Sequence, residues 1–451
     1  KVFKNIIAYD KFDFDGKKES MYALRPAFDT VADMIGKGKK VPESLLEIFA
    51  QNPEYSAKLD SLINAKDKVP FKIFDKKNAE KLFGKNLNIS ASQLEKFNLC
   101  RFSYFCNYGL NVRERQRAEI NPMQYGTIVH YILERFFGEY TKEEYLSLEE
   151  DKFQKIVCAY LAEYAVKYFG EEQLESNSFT YRLKTILDNV MYLMKHIMEE
   201  LSQSEFFVAD CELKIGEDIP SYTIVLPDGH KIAVCGSVDR VDIMQRADIT
   251  YLRIIDYKTG TKQFKLSDIL YGINLQMLLY LHSIEASGGD KYGEIVPAGI
   301  LYMPATVPYI SSDSLKSIDK LPDELNKKLK MNGLLLKDTE IIHGMDKTDV
   351  ATYIPVKIKA GEPVSSTSLA TLAEFGKIFK KVDMLIAEMG KNIYNGNIEA
   401  KPLKGGHDSC EYCPYDSVCA YRQSNPITCF SVDNKTVIEE ITNEIKGKEE
   451  E

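Results

Sequence analysis

Two short segments of the sequence place ionisable side chains on strand faces that are otherwise apolar. The first, Ile254–Gly260, reads IIDYKTG, and alternation along a strand puts Asp256 and Lys258 on one face with apolar residues before them. The second, residues 232–244, reads IAVCGSVDRVDIM and puts Asp239 on an equally apolar face. Burying such charges is costly unless a partner charge, hydrogen bonds or a metal ion compensates, so both segments are candidates for chemistry.

A divalent metal ion between the two aspartates would compensate this cost. If the two strands are antiparallel neighbours, Asp239 and Asp256 converge at one end of the sheet, with Lys258 about 7 Å further along its strand. Two carboxylates this close repel each other unless a cation lies between them. Carboxylate oxygens suit Mg²⁺ or Mn²⁺, which also bind phosphate oxygens. The alternative is a hairpin with a surface Asp–Lys pair that contributes about 0–1 kcal/mol.

A second candidate site is a cluster of three cysteines near the C-terminal end. Cys410, Cys413 and Cys419 are separated by two and five residues, and the chain has nine cysteines in all, an odd number. A reducing compartment disfavours disulfides, so the clustered thiols are better explained as metal ligands. Zinc and an iron–sulfur cluster both accept four thiolates, so a fourth ligand is needed and the residues alone leave the two groups open.

The elements that must hold these residues are helices and strands in alternation. Residues 121–140 predict a helix whose apolar positions recur at i, i+3, i+4 and i+7, with His130 beside that stripe. Alternating polarity then predicts a meander of strands, followed by a helix and a further strand. These segments are residues 206–215, 222–244 and 251–260, the helix 272–286 and the strand 297–305.

Charge and composition exclude some classes of protein. The net charge is −9, from 58 basic and 67 acidic residues in 451, which argues against a protein that coats nucleic acid but leaves room for a local basic groove. No run of about 18 uncharged apolar residues and no apolar signal segment occur. These features predict a cytoplasmic protein without a membrane span. A GxxxxGK[ST] loop is also absent, so no ATP hydrolysis is expected of these residues.

The motifs GSVDRVD, IIDYKTG and QMLLY together resemble the RecB-like form of the PD-(D/E)xK nucleases. The resemblance implies a restriction-endonuclease-like α/β fold, in which helices flank a central mixed sheet, with a helical N-terminal extension and insertions. It also implies that Asp239, Asp256 and the backbone carbonyl of Tyr257 bind Mg²⁺ or Mn²⁺, and that Lys258 orients or activates the attacking water. Such an enzyme hydrolyses phosphodiester bonds of DNA.

The same resemblance implies roles for residues outside these two strands. Gln276 and Tyr280, four apart on a helix, resemble a pair that faces the active site and the DNA strand, which makes Gln276 a candidate catalytic residue as well. Gly126 and His130 resemble a Gly-x-x-x-His motif whose histidine binds the metal through an imidazole nitrogen. Glu212, in the segment ADCELKI, is a further acidic group whose membership of the site stays open.

Nucleases of this kind with an iron staple carry one cysteine before the nuclease core and three after it. Cys100 in LEKFNLCRFSYF matches the first position and Cys410, Cys413 and Cys419 match the others, which implies a [4Fe–4S] cluster. The cluster would close a loop of roughly three hundred residues and so restrict the unfolded chain. Its implied role is therefore structural. Cys106 is the rival for the first ligand position.

The resemblance extends to one group of helicase–nucleases. SASQLEKFNLCRFSYF, PAGILYMPA, KLKMNGLLLKDTEIIHGMD and the three-cysteine segment resemble the C-terminal part of the B subunits of AddAB-type enzymes, over roughly residues 80–422. This implies a DNA exonuclease that cuts the 5′-terminated strand during resection of double-strand ends for recombinational repair. It also implies a heterodimer with an AddA-like helicase–nuclease subunit.

The same resemblance predicts how the chain is divided. Residues 1–85 are expected to be helical and to continue from a helicase-like region. Residues 86–430 are expected to form the nuclease domain with its iron–sulfur staple and an irregular surface insertion at about 305–370. Residues 431–451 are expected to form a charged tail.

Proteins of other classes remain as alternatives. A stand-alone iron–sulfur exonuclease of the CRISPR-adaptation type would have a shorter chain than these 451 residues. A DNA-binding module that has lost catalysis would have no reason to keep Asp239, Asp256 and Lys258 together. A zinc-binding interaction protein would leave the segment IIDYKTG unexplained.

Overall fold

The computed structural model describes residues 23–36, 39–64, 72–113, 122–170, 176–260, 263–307, 321–365, 367–419, 421 and 426–449. The chain divides into two compact units, the first with residues 1–72 and 420–425 and the second with residues 73–419 and 426–451. The domain limits expected from the sequence remain predictions. None of the helices in the described part combines the length and the apolar character that a membrane span requires.

The described helices of the first unit are α1 (Leu24–Gly36), α2 (Glu43–Gln51) and α3 (Ser56–Asn64). Their apolar faces form a small separate core, in which the rings of Phe28, Phe49 and Tyr55 pack with centroids 4.8 to 5.6 Å apart. Apolar residues three or four positions apart share one face of a helix, and this spacing produces the core.

A mixed sheet of six strands forms the centre of the second unit. The described strands are β1 (Asn86–Ile89), β2 (Phe207–Ile215), β3 (Thr223–Val225), β4 (Lys231–Val234), β5 (Gly236–Arg246), β6 (Ile249–Lys258), β7 (Glu294–Pro304), β8 (Asn332–Leu336), β9 (Lys357–Lys359), β10 (Glu362–Val364), β11 (Leu369–Ala370), β12 (Leu403–Gly405) and β13 (Ile427–Cys429). The central sheet has the order β11–β8–β7–β6–β5–β2, with β6 parallel to β7, β8 parallel to β11 and the other neighbours antiparallel. Three small sheets, β1–β4–β3, β10–β9 and β12–β13, complete the described strands.

Helices surround this sheet, which confirms the predicted α/β architecture with a central mixed sheet. They are α4 (Lys76–Phe83), α5 (Ala91–Leu99), α6 (Arg101–Tyr104), α7 (Pro122–Glu139), α8 (Lys142–Leu146), α9 (Glu150–Phe169), α10 (Asn177–Ser202), α11 (Gln276–Ser287), α12 (Gly289–Tyr292), α13 (Leu321–Leu329), α14 (Thr339–Met345), α15 (Leu372–Tyr394) and α16 (Asn434–Glu449). A π-helical turn (Phe105–Gly109) follows α6, and a 3₁₀ helix (Leu266–Tyr271) precedes α11. The face of α7 predicted from its apolar spacing is buried.

The segment expected to be an irregular surface insertion, at about 305–370, differs from that expectation. Among its described residues, β8 and β11 lie inside the central sheet, and Leu334 and Leu335 have no exposed surface. Gly333 permits the close pairing of β8 with β7, because a Cβ there would lie 2.0 Å from the carbonyl oxygen of Ile300. Polar neighbours concealed this short apolar run, which is too short to be assigned by periodicity alone.

The C-terminal residues also differ from the expected charged tail. The helix α16 packs against α15, and its residues Val437 and Ile441 are fully buried. Lys381 of α15 forms an ion pair with Glu444 of α16, with the two charged atoms 2.6 Å apart. The charges between the apolar positions obscured a four-residue spacing that places those positions on one helix face.

A buried histidine in α11 predicts that stability depends on pH. His282 Nε2 lies 3.0 Å from Asp383 Oδ1 in α15, which also accepts a hydrogen bond from the Tyr222 hydroxyl. Burial alone would lower the pKa of His282, but hydrogen bonds to Asp383 and Glu285 outweigh it and raise the pKa to about 9. Because the folded protein holds this proton more tightly, the stabilisation is complete below the unfolded pKa of 6.5 and is lost as pH rises through 9.

We therefore expect His282→Gln to lower the free energy of unfolding by about 2 kcal/mol near neutral pH. The variant should also lose much of the decline in stability between about pH 7 and pH 9.5 that wild type shows. Urea unfolding across this range is the measurement. His343→Gln, at an exposed position of α14, is the control and should retain the wild-type pH dependence. If the free energy of unfolding fell equally steeply with pH in wild type and in His282→Gln, the prediction would be contradicted.

Candidate active site

The antiparallel pairing of β5 and β6 brings the two aspartates together. Arg240 pairs with Ile255 and Asp242 with Arg253, so the same register places Asp239 opposite Asp256. Only 11% of the Asp239 side chain and 3% of the Asp256 side chain are exposed. The predicted antiparallel arrangement is therefore present, and it concentrates two carboxylates at one end of the sheet.

A histidine and a third carboxylate lie beside Asp239. His130 of α7 has Nδ1 2.9 Å from Glu212 Oε1 of β2 and Nε2 3.7 Å from Asp239 Oδ2. Potential ligand atoms of His130, Glu212 and Asp239 lie within 4.8 Å of one another. Ser237 donates a hydrogen bond to the second oxygen of Glu212 at 2.8 Å. One imidazole nitrogen and carboxylate oxygens at this spacing fit the donor set of a divalent cation.

Glu212 has an unusual backbone conformation within β2. Its φ of 50° lies in the left-handed region, which residues other than glycine seldom adopt. Such conformations cost on the order of 1 kcal/mol or more and tend to occur at functional sites, where the surrounding structure holds them. Nothing in the segment ADCELKI signalled this conformation, because an alternating strand pattern predicts extended backbone.

Asp256 is held by two side chains. Lys258 Nζ lies 2.5 Å from Asp256 Oδ2, and Gln276 at the start of α11 donates a hydrogen bond to Asp256 Oδ1 at 2.9 Å. Lys258 Nζ also lies 5.6 Å from the ring centroid of Tyr302 in β7. These contacts compensate the burial of the Asp256 carboxylate and fix its orientation.

The backbone of Tyr257 also belongs to this arrangement. Its N–H donates a hydrogen bond to Asp239 Oδ2 at 2.9 Å, and its ring packs edge-on against His130 with centroids 5.8 Å apart. The expected ligand role of the Tyr257 carbonyl remains a prediction.

The Tyr280 side chain is buried, with 5% exposed, and interacts electrostatically with Asp239 and Asp256. A Cβ at Gly236 would lie 2.2 Å from the Tyr280 hydroxyl, so the first residue of GSVDRVD must be glycine for this tyrosine to fit. Burial raises the pKa of this hydroxyl to about 12, against the smaller opposing effect of the Ala91 backbone N–H. The expected contact of Tyr280 with DNA remains a prediction, and in its buried position the side chain supports α11 against β5 and α5.

The electrostatics of the site favour a bound cation. Burial and then the charge of Asp256 raise the pKa of Asp239 to about 7, against the opposing effects of His130 and the Tyr257 N–H. Burial would raise the pKa of Glu212, but hydrogen bonds from His130 and Ser237 lower it. Burial would lower the pKa of His130, but its hydrogen bond to Glu212 and the nearby carboxylates raise it. Excess negative charge therefore remains at Asp239 and Asp256.

We expect Mg²⁺ to raise the melting temperature more at about pH 8 than at about pH 6. Because the folded pKa of Asp239 lies above its ordinary value of 3.8, its proton stabilises the metal-free protein, and this contribution is lost as pH rises through 7. A cation must displace the proton at low pH but not at high pH. Asp239→Asn should show little Mg²⁺-dependent gain at either pH. Equal gains at both pH values for wild type would contradict the prediction.

On the opposite face of the sheet, four charged side chains form a fully buried network that sequence reasoning missed. Arg240 lies 2.6 Å from Asp242 and 3.1 Å from Glu200 of α10, and Arg253 lies 2.6 Å from Glu200 and 2.8 Å from Asp242. None of the four side chains has exposed surface. Two positive and two negative charges balance, so the network joins β5, β6 and α10 directly behind the carboxylates. The available signal was the placement of Arg240 and Asp242 on one face of β5, with Arg253 in the apolar strand that follows.

Five cysteines come together in the second unit. Cys100, Cys106, Cys413 and Cys419 pack in one apolar cluster with Tyr415, and Cys410 interacts electrostatically with Cys100 and Cys413. Burial raises the pKa of the Cys100 thiol, against the smaller opposing effects of the backbone N–H groups of Ser103 and Phe102. Apolar cover and converging sulfur donors fit a site with four thiolate ligands.

A family model described as the PD-(D/E)XK nuclease superfamily matches residues 88–420. This range contains the carboxylates, His130, Lys258 and the four cysteines expected from the sequence to bind a cluster. It covers most of the chain.

The chain is also similar to curated proteins that are named as the B subunits of ATP-dependent helicase/deoxyribonucleases. It is 35% identical to that of Clostridium kluyveri over an alignment of 397 residues that covers 84% of this chain and 34% of the relative. It is 34% identical to that of Thermoanaerobacter pseudethanolicus over 354 residues, 76% of this chain and 30% of the relative. It is 30% identical to that of Clostridium acetobutylicum over an alignment of 465 residues that covers 96% of this chain and 39% of the relative. The chain therefore spans about a third of the length of these relatives.

Proposed function

Because the chain belongs to the PD-(D/E)XK nuclease superfamily, we propose that it is a metal-dependent deoxyribonuclease that hydrolyses phosphodiester bonds. The observation that carries this proposal is the convergence of His130, Asp239 and Asp256 with Lys258 at one end of the sheet. A purely structural ion pair would not need a second buried carboxylate opposite Asp256. Lys258 neutralises the charge of Asp256, so a cation can bind at Asp239.

The residues that would hold Mg²⁺ or Mn²⁺ are His130, Asp239, Asp256 and the carbonyl of Tyr257. When bound, the ion supplies charge stabilisation at the phosphate and lowers the pKa of the attacking water. Gln276 keeps the Asp256 carboxylate in one orientation through its 2.9 Å hydrogen bond. Lys258, beside the same carboxylate, would add positive charge at the scissile phosphate or hold the water. Glu212 is placed to orient the His130 ring through Nδ1, at 2.9 Å.

We assign the cysteine site to a [4Fe–4S] cluster held by Cys100, Cys410, Cys413 and Cys419. These residues would join the segment between α5 and α6 to the loop after β12, which is far along the chain. Bound there, the cluster supplies a covalent tie between the two segments, and its role is structural.

The longer protein is proposed to work as its relatives are named, as the B subunit of an ATP-dependent helicase/deoxyribonuclease. In this proposal its partners are DNA and an AddA-like subunit, and it acts in the cytoplasm. This nuclease region cuts the 5′-terminated strand as double-strand ends are resected for recombinational repair. The alignments with these relatives cover 76–96% of the chain, and this coverage supports the assignment.

The test is cleavage of DNA labelled at its 5′ or 3′ end by the full complex with its partner subunit. Wild type should degrade the 5′-terminated strand with Mg²⁺ and not with a chelator. Lys258→Met should cut about 10²-fold more slowly, the scale of one lost charge stabiliser. Lys291→Met is the matched control, because Lys291 forms a lysine–aspartate pair with Asp210 at the same 2.5 Å distance away from the site. Metal-independent cleavage, or equal rates for Lys258→Met and the control, would refute the proposal.

A further inference from the structure

We propose that Cys106 is a fifth, reserve thiolate ligand of the cysteine site, able to take the place of Cys100. The inference rests on the [4Fe–4S] cluster of the proposed function and concerns a residue that the four-ligand assignment leaves unused. A [4Fe–4S] cluster takes four protein thiolates, so a fifth thiol at the same place is surplus to the resting site.

The position of Cys106 is the first support. Its side chain is buried, with 4% exposed, in the same apolar cluster as Cys100, Cys413 and Cys419. The Cys106 thiol lies within electrostatic range of each of these three sulfurs. A cysteine that only filled the core would not need to face three other thiols.

The backbone around Cys106 is the second support, and it is independent of the side-chain packing. Cys106 lies in the π-helical turn Phe105–Gly109, a wide turn that is rare and often found at functional sites. The Cys106 carbonyl accepts a hydrogen bond from the N–H of Val112 at 3.0 Å. The carbonyl of Val112 in turn accepts a hydrogen bond at 2.7 Å from the hydroxyl of Tyr415, which lies between Cys413 and Cys419 in the sequence. The turn that carries Cys106 is thereby fastened to the three-cysteine loop.

The contacts of Cys100 explain why it is the resting ligand and Cys106 the reserve. Cys100 interacts electrostatically with all three cysteines of the loop, Cys410, Cys413 and Cys419. Cys106 interacts with two of them, Cys413 and Cys419, and with Cys100 itself. In the exchange, the Cys106 thiol would give up its proton and bind in place of Cys100, and the released Cys100 thiolate would take up a proton. No electron is transferred.

Serine variants of the anaerobically purified protein test the proposal through iron and sulfide content and the electron paramagnetic resonance spectrum of the reduced cluster. Cys106→Ser should keep the iron content and spectrum of wild type. Cys100→Ser should keep most of its iron but show an altered spectrum, because one ligand has changed. Cys100→Ser/Cys106→Ser and Cys410→Ser should both lose the cluster. Iron loss from Cys100→Ser equal to that from the double variant would overturn the proposal, as would iron loss from Cys106→Ser alone.

A second measurement does not depend on the folding of Cys100→Ser. Wild type and Cys106→Ser, both with intact clusters, are mixed with an iron chelator and the release of iron is followed. A reserve ligand recaptures iron after each opening of the Cys100 bond, so Cys106→Ser should release iron several-fold faster. Equal rates would overturn the proposal. If wild-type protein contained no iron, the proposed cluster itself would be refuted. If wild type contained iron but did not cleave DNA, only the proposed nuclease function would be refuted. The two failures are therefore distinguishable.

Discussion

Asp256→Asn should reduce the rate of DNA cleavage by about 10³-fold while leaving the fold intact. The amide has nearly the shape of the carboxylate, so the side chain can stay beside Gln276 and Lys258, but it no longer supplies negative charge to a cation. Burial, with 3% of the side chain exposed, means that no water can replace the lost ligand easily. The measurement is kcat/KM on end-labelled DNA with Mg²⁺, together with the melting temperature.

Asp248→Asn is the matched control for this prediction. Asp248 lies in the turn of the same β5–β6 hairpin, at the end away from the carboxylates, and is exposed. The chemical change is identical, so a comparable loss of activity in this variant would show that the effect of Asp256→Asn is not local. Activity of Asp256→Asn close to that of wild type would remove Asp256 from the catalytic site.

Arg240→Met should lower the free energy of unfolding by about 3–5 kcal/mol. The substitution removes one charge from the buried network and leaves Glu200 and Asp242 with only Arg253 as a cationic partner, so one negative charge is uncompensated. Because this network lies directly behind Asp239, cleavage activity should fall as well. Urea unfolding followed by circular dichroism measures the effect on stability.

Two comparisons make this prediction specific. Arg246→Met, on the same strand, removes an arginine that pairs with Glu205 at the surface and should leave stability unchanged within error. Adding Glu200→Gln to Arg240→Met restores charge balance, so the double variant should be less destabilised than the sum of the two single variants. The interpretation would be contradicted if the losses of unfolding free energy in Arg240→Met and Glu200→Gln simply added in the double variant. Equal losses for Arg246→Met and Arg240→Met would contradict it as well.

The central part of the candidate site could be predicted from the sequence because it depends on local periodicity. Alternation with a period of two places Asp239 on one face of its strand and Asp256 with Lys258 on one face of the next, whatever the rest of the chain does. A short connection between the two strands then favours antiparallel pairing, which brings the aspartates opposite each other. The apolar face of α7 was predictable from its helical periodicity, and the start of α5 from the local capping residues Ser90 and Gln93.

Only the tertiary structure decided which distant residues join this hairpin. His130 and Glu212 are 82 positions apart, and Arg240 and Glu200 are 40 apart, yet each pair is in direct contact. Periodicity determines which face of an element a side chain occupies, but it does not determine which other element covers that face. The left-handed conformation of Glu212 and the approach of Cys106 to the cysteine loop likewise depend on packing between elements that no local pattern encodes.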